Sequence, residues 1–84
     1  MGKHEKLILQ ILGGRSDANI GFDDLRNLLK QLGFDEYVRG SHHLFRIAGV
    51  EEKINLQWEG NHAKPYQVHQ VRGVLVKYSL GEEE

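Results

Sequence analysis

The sequence predicts an α+β domain in the order helix, helix, three strands, helix, with a three-stranded antiparallel sheet carrying helices on one face. Three observations predict it. Apolar residues recur at helical spacing twice before Gly33, the spacing changes to two from Phe34 to Gln57, and helical spacing returns after Pro65, the single proline. Eighty-four residues suit one small domain, because a chain this short buries only a modest apolar core.

Leu7, Ile8, Ile11 and Leu12 trace one side of a helix over residues 3–12, and Gly13-Gly14 end it. The stretch GRSDANIG that follows is rich in turn formers, with Ser16, Asp17 and Asn19 able to bond nearby amides, and reads as a connector. Leu25, Leu28, Leu29 and Leu32 repeat the i, i+3, i+4, i+7 pattern of a second helix. Asp23 and Asp24 stand where the helix dipole favours acids, and Gly33 supplies a left-handed stop.

From Phe34 onward, Phe34, Glu36 and Val38, then Phe45 and Ile47, then Ile54 and Leu56 alternate with polar neighbours. Strands are predicted near residues 34–39, 43–48 and 53–57, joined by the short turns RGS and AGVEE into an antiparallel meander. Side chains alternate across a strand, so Phe45, Ile47, Ile54 and Leu56 face the helices while Arg46, Lys53, Asn55 and Gln57 face water. The same parity sends His42 to the wet face and His43 to the rim of the core.

EGNHAK reads as a loop, and Pro65 fits the first turn of a last helix over residues 65–78, with Val68, Val71, Leu75 and Tyr78 on one face. Gly73 costs that helix about 1 kcal/mol relative to alanine, which is expected where backbones pack closely. His69 and Arg72 are expected on its solvated side. Residues 79–84 read as a disordered acidic tail.

The chain has no cysteine, so disulfides, thiolate metal sites and thiol nucleophiles are excluded. The apolar run at Leu7 to Leu12 is too short and polar for a signal peptide or membrane span, and a cytoplasmic protein without membrane attachment is expected. The net charge is −1, which argues against gripping nucleic acid by bulk positive charge. With Glu82, Glu83 and Glu84 set aside, eleven basic residues face nine acidic ones, a balance of +2.

The stretch RGSHHLF places His42 and His43 side by side at the start of a strand. On the residues alone they are either two solvent-facing rings or a reactive centre. Histidine suits proton transfer because its ordinary pKa lies near 6.5. His42, His43 and His62 are the candidates for a metal, but adjacent strand residues point to opposite faces and no cysteine helps, so no metal site is expected. Trp58 and Tyr66 either stack on RNA bases or pack at the core edge.

Taken with the order of elements, the words LLKQLGF, RGSHHLF and KPYQVHQVR resemble the HicA-type toxins, small ribonucleases of bacterial and archaeal toxin-antitoxin pairs that cut messenger RNA. The resemblance covers residues 22–78 and leaves 1–21 as an N-terminal helix and connector, with 79–84 as tail. It implies a double-stranded-RNA-binding-like fold. Gly40, Ser41, His42 and Phe45 match the family's Gly-Ser-His and following aromatic, so the resemblance makes His42 the catalytic residue by motif register, with Arg39, Gly40, Ser41 and His43 as possible support. It further implies metal-independent cleavage with no small-molecule cofactor, and a HicB-type antitoxin as partner. Arg46, Lys53, Lys64 and Tyr66 are the candidates to hold the RNA, and Arg39, Arg46 or Lys64 to steady charge on the phosphoryl oxygens. The second proton-transfer group is open among His43, His62, Tyr37 and water. A non-catalytic RNA-binding or protein-interaction domain of the same fold is the alternative.

Overall fold

The computed structural model describes residues 3–14 and 17–80; Arg15, Ser16 and residues 81–84 of the expected tail lie outside the described residues. Helix α1 (Lys3–Gly13) turns Leu7, Ile8 and Ile11 inward. A single 3-10 turn at Asp17–Asn19 occupies the expected connector and leads to α2 (Phe22–Gln31), whose Phe22, Leu25, Leu28 and Leu29 are buried. Strands β1 (Asp35–Arg39), β2 (His42–Arg46) and β3 (Ile54–Gln57) form an antiparallel sheet in the order β1-β2-β3. Helix α3 (Pro65–Lys77) follows, with Pro65 in its first turn.

The α+β class, the element order and the meander agree with the sequence-based expectation. The second strand differs in bounds: it begins at His42 and ends at Arg46, where 43–48 was expected. Its start is set by a two-residue turn, Gly40-Ser41, between the paired residues Arg39 and His42. Gly40 has φ +60 and Ser41 does not share a positive φ, the pattern of the hairpin turn that takes glycine at its first central position.

One apolar cluster holds all the layers together. Phe45, Ile54 and Leu56 from the sheet, Leu25, Leu28 and Leu29 from α2, Val68, Val71 and Leu75 from α3, and Ile11 from α1 are all essentially inaccessible to solvent. Helix α1, which lies outside the family resemblance, packs chiefly on α3 and also on α2. It is therefore built into the common core.

Both later helices end with the same hydrogen-bond motif. At the end of α2, the Phe34 amide donates to the Leu29 carbonyl and the Gly33 amide to the Lys30 carbonyl, with Gly33 at φ +106. At the end of α3, the Leu80 amide donates to the Leu75 carbonyl and the Ser79 amide to the Val76 carbonyl. Here Ser79, at φ 52, holds the left-handed position that glycine usually fills. Leu80 then packs against the core, so the expected tail beginning at residue 79 is corrected: Ser79 and Leu80 belong to the helix stop.

Two expectations for α3 are overturned. A Cβ at Gly73 would meet nothing within 4 Å, so no close backbone approach explains that glycine. Arg72 is not on a solvated face: its Nε donates to the Ile11 carbonyl at 2.6 Å, its guanidinium pairs with Asp17, and a third contact reaches His69. A cation there complements the C-terminal end of α1, whose Ile11 carbonyl also accepts from the Gly14 amide, and ties three elements together. Gln67, also unforeseen, is fully buried; its side chain accepts from the Lys64 amide and donates to the Gln57 carbonyl, so its polar atoms are used.

Gly73→Ala is expected to raise unfolding stability by about 0.5–1 kcal/mol, since helix interior favours alanine and the space is open. Urea denaturation checks it, and a loss of stability would mean that backbone does pack there. Ile11→Ala is expected to cost about 2–5 kcal/mol in the same measurement; a change below 0.5 kcal/mol would show α1 to be a loose appendage.

Candidate functional site

The β1–β2 hairpin divides its two histidines between the faces of the sheet. In β2, His42, Leu44 and Arg46 point one way and His43 and Phe45 the other, because successive side chains alternate. Phe45 is fully buried under the helices, which fixes the inner face, and His42 lies exposed on the outer one. This agrees with the parity expected from the sequence.

Among the described residues, no helix covers the outer face near His42. A shallow depression of about 460 Å³ opens there, lined by Tyr37, Val38, Arg39, His42, Leu44 and Asn55. Arg39 is the direct cross-strand partner of His42, and Tyr37 is paired with Leu44 one step along the same face. Among the described residues, the His42 ring and the Arg39 guanidinium have no hydrogen-bond or ion-pair partner. Both are thus available to a ligand, at the spacing of directly opposed strand residues, about 5 Å between Cβ atoms.

The inner face carries a charged network. Glu36, in β1 between Phe34 and Val38, points inward with a side chain only 9 % exposed. Arg26 of α2 reaches it with two parallel bonds, Nε to Oε2 at 2.6 Å and Nη2 to Oε1 at 3.0 Å, and Lys30 stands 3.9 Å from Oε1. The His43 Nδ1 lies 2.7 Å from Oε2, and the ring meets Phe22 edge-on at 5.2 Å. The Arg26 bonds hold the Glu36 carboxyl far below its ordinary 4.5, at about 2, with the His43 bond adding to the effect, and Glu36 in turn raises the Arg26 pKa. With Glu36 ionised at neutral pH, Nδ1–H of His43 is the donor, and Nε2 is left facing away from the carboxylate.

The expected site residues separate into four places. Arg39, Gly40, Ser41 and His42 share the hairpin end of the sheet. Arg46 lies four residues along the same face from His42, about 13 Å away at strand rise, with Lys53 just before β3; both are exposed and without an acidic partner among the described residues. Lys64 and Tyr66 begin α3, which Gln67 ties to Gln57, the β3 partner of His42. Lys64 is paired with Glu59, which raises its pKa and neutralises its charge locally. His43 joins the opposite face, and His62 belongs to a short bridge with Gly21. Among the open candidates for a second proton-transfer group, Tyr37 alone lines the His42 depression. Glu36 and Arg26 were not foreseen as site residues. The signal was present in the alternation Phe34, Glu36, Val38, where a carboxylate stands in an apolar row.

No group of three acidic or histidine side chains among the described residues is arranged to hold a metal ion, and no helix among them is long and apolar enough to cross a membrane. No family model, curated protein or solved structure matches the chain.

Glu36→Gln is expected to lower stability at neutral pH by roughly 1–3 kcal/mol, through loss of the charge-assisted bonds. A carboxyl whose folded pKa is depressed contributes stability above its ordinary 4.5 that is lost as pH falls toward about 2. The acid limb of unfolding between those values should therefore be shallower in the variant. Glu52, depressed by Tyr78 and Lys77, contributes equally to both proteins, so the difference isolates Glu36. Parallel acid limbs would show that the Arg26 contacts do not hold in solution.

Proposed function

We propose that the protein is a HicA-like toxin: a metal-independent endoribonuclease that cuts messenger RNA in the cytoplasm through His42 and is neutralised by a HicB-type antitoxin. The observation that carries the reading is the exposed, unpartnered His42 ring in an open depression beside Arg39, at the Gly-Ser-His register of the family it resembles. The α2-sheet-α3 order is also what a double-stranded-RNA-binding-like arrangement requires.

Metal-free cleavage takes a proton from the ribose 2′-hydroxyl, lets that oxygen attack the adjacent phosphorus, and returns a proton to the departing 5′-oxygen. His42 supplies one proton step. Arg39, five donors in a fixed fork across the strand, stabilises charge building on the phosphoryl oxygens. Tyr37 carries a hydroxyl on the same face and is our candidate for the second proton step. Arg46 and Lys53, farther along the face, contact phosphates of the same strand. Tyr66 and, in competition with Glu59, Lys64 extend the contact at the edge by α3.

Purified protein should cut single-stranded RNA in the presence of EDTA, and His42→Ala should slow cutting by roughly 10²–10⁴-fold. Cleavage abolished by EDTA, or equal in His42→Ala, would contradict the reading. RNA binding without any cutting would favour a non-catalytic RNA-binding domain.

A further inference from the structure

On the other side of the same hairpin end lies a second, smaller cleft of about 200 Å³, lined by Phe22, Asp23, Arg26, His43 and Trp58. Its parts are unlike those of the His42 depression. Trp58 is 56 % exposed, a large aromatic surface left open to water. Its backbone amide donates to the Ser41 carbonyl at 2.8 Å, which fastens it beside the turn that carries His42. His43 presents Nε2 with a ring direction set by Glu36 at Nδ1 and by the edge-on contact with Phe22.

The charges of the cleft exclude a phosphate. Arg26 is the cation there, and its Nε, Nη1 and Nη2 are all bonded to Glu36 or Asp23. Asp23 adds a negative carboxylate whose side chain is 79 % exposed and which uses only one oxygen on Arg26. An uncharged planar group that stacks on an indole and offers N–H donors to a carboxylate fits. An unpaired nucleobase is such a group, and among the four RNA bases guanine presents two neighbouring N–H donors on its pairing edge, matching a carboxylate.

We propose that this cleft is a guanine-binding subsite for the single-stranded RNA whose backbone lies at His42, with Trp58 as the stacking surface, Asp23 as the acceptor and His43 as a positioned polar contact. The inference rests on the ribonuclease reading for the identity of the polymer. The strand crosses the hairpin end of the sheet, with a phosphate on one face and the neighbouring base on the other. The His43 network then has a role in recognition while His42 keeps the chemistry.

Trp58 is the single tryptophan of the chain, so its fluorescence reports the cleft directly. His42→Ala protein, chosen because any cutting should be slowed in it, is titrated with the trinucleotides UGU, UAU, UCU and UUU, and cleavage by the wild-type chain is measured in parallel. The expected result is a saturable fluorescence change with a midpoint for UGU roughly tenfold below that for UUU, a preference that Asp23→Asn removes. By anisotropy of labelled UGU, Trp58→Ala should weaken binding roughly tenfold. Binding seen by anisotropy with no response of Trp58, or equal midpoints for all four trinucleotides, overturns the subsite. If wild-type protein cuts RNA in either of those cases, the ribonuclease reading survives and the subsite alone fails. A guanine-selective response from a protein that cuts nothing supports the subsite and removes the nuclease.

Discussion

A carboxylate turned into the core-facing row of a strand needs a partner, and the pairing of Glu36 with Arg26 and His43 is the interaction on which the arrangement of this protein depends. The Arg26 fork links α2 to the first strand, and the His43 bond links the first strand to the second. Together they favour one register. A slip of a single residue would move Phe45 into water and send His42 beneath the helices. Apolar burial opposes that slip strongly, and the charged network adds a directional penalty, since an inward Glu36 without Arg26 would leave a charge unpaired in a site that is 9 % exposed.

The consequence is a division of labour between two neighbouring histidines. They cannot act on the same phosphate, because alternation puts them on opposite faces. One is held by a carboxylate and an aromatic edge; the other stands in the open beside an unpartnered arginine. A net charge of −1 gives a poor description of this surface. Much of the acid is absorbed locally, with Glu36 on Arg26, Asp17 on Arg72 and Glu52 on Lys77, while Arg39 and Arg46 keep their charge exposed on the open face. A charge sum over the chain misses this, because binding responds to the local potential.

Periodicity made the helices and the meander legible, since Leu25, Leu28 and Leu29 or Phe45 and Ile54 report a face through spacing alone. Parity carried the positions of His42 and His43. The end of β2 is not legible in the pattern, because Ile47 continues the alternation although pairing stops at Arg46, so the apolar pattern outlasts the ladder. Arg72 and Gln67 were illegible for another reason: their partners, the Ile11 and Gln57 carbonyls, are backbone groups distant in sequence, and no local pattern encodes them. Gly73 breaks the helical pattern with open space beside it, so its spacing carries no packing information. Glu36 lies between these cases: it is visible as an exception to its row, but its partner Arg26 stands on α2, ten residues away, and only the packing of that helix on the sheet brings them together.

Glu36 fixes the ring of His43 and leaves that of His42 unconstrained. Long-range proton–nitrogen NMR of the imidazoles in the free protein tests this most directly. His43 should appear as a single Nδ1–H tautomer with a slowly exchanging proton, and Glu36→Gln should release it, while His42 should show the averaged tautomers of a solvated ring in both proteins. A His43 proton on Nε2, or a His42 ring locked in one tautomer, would contradict the arrangement from which the two sites are built.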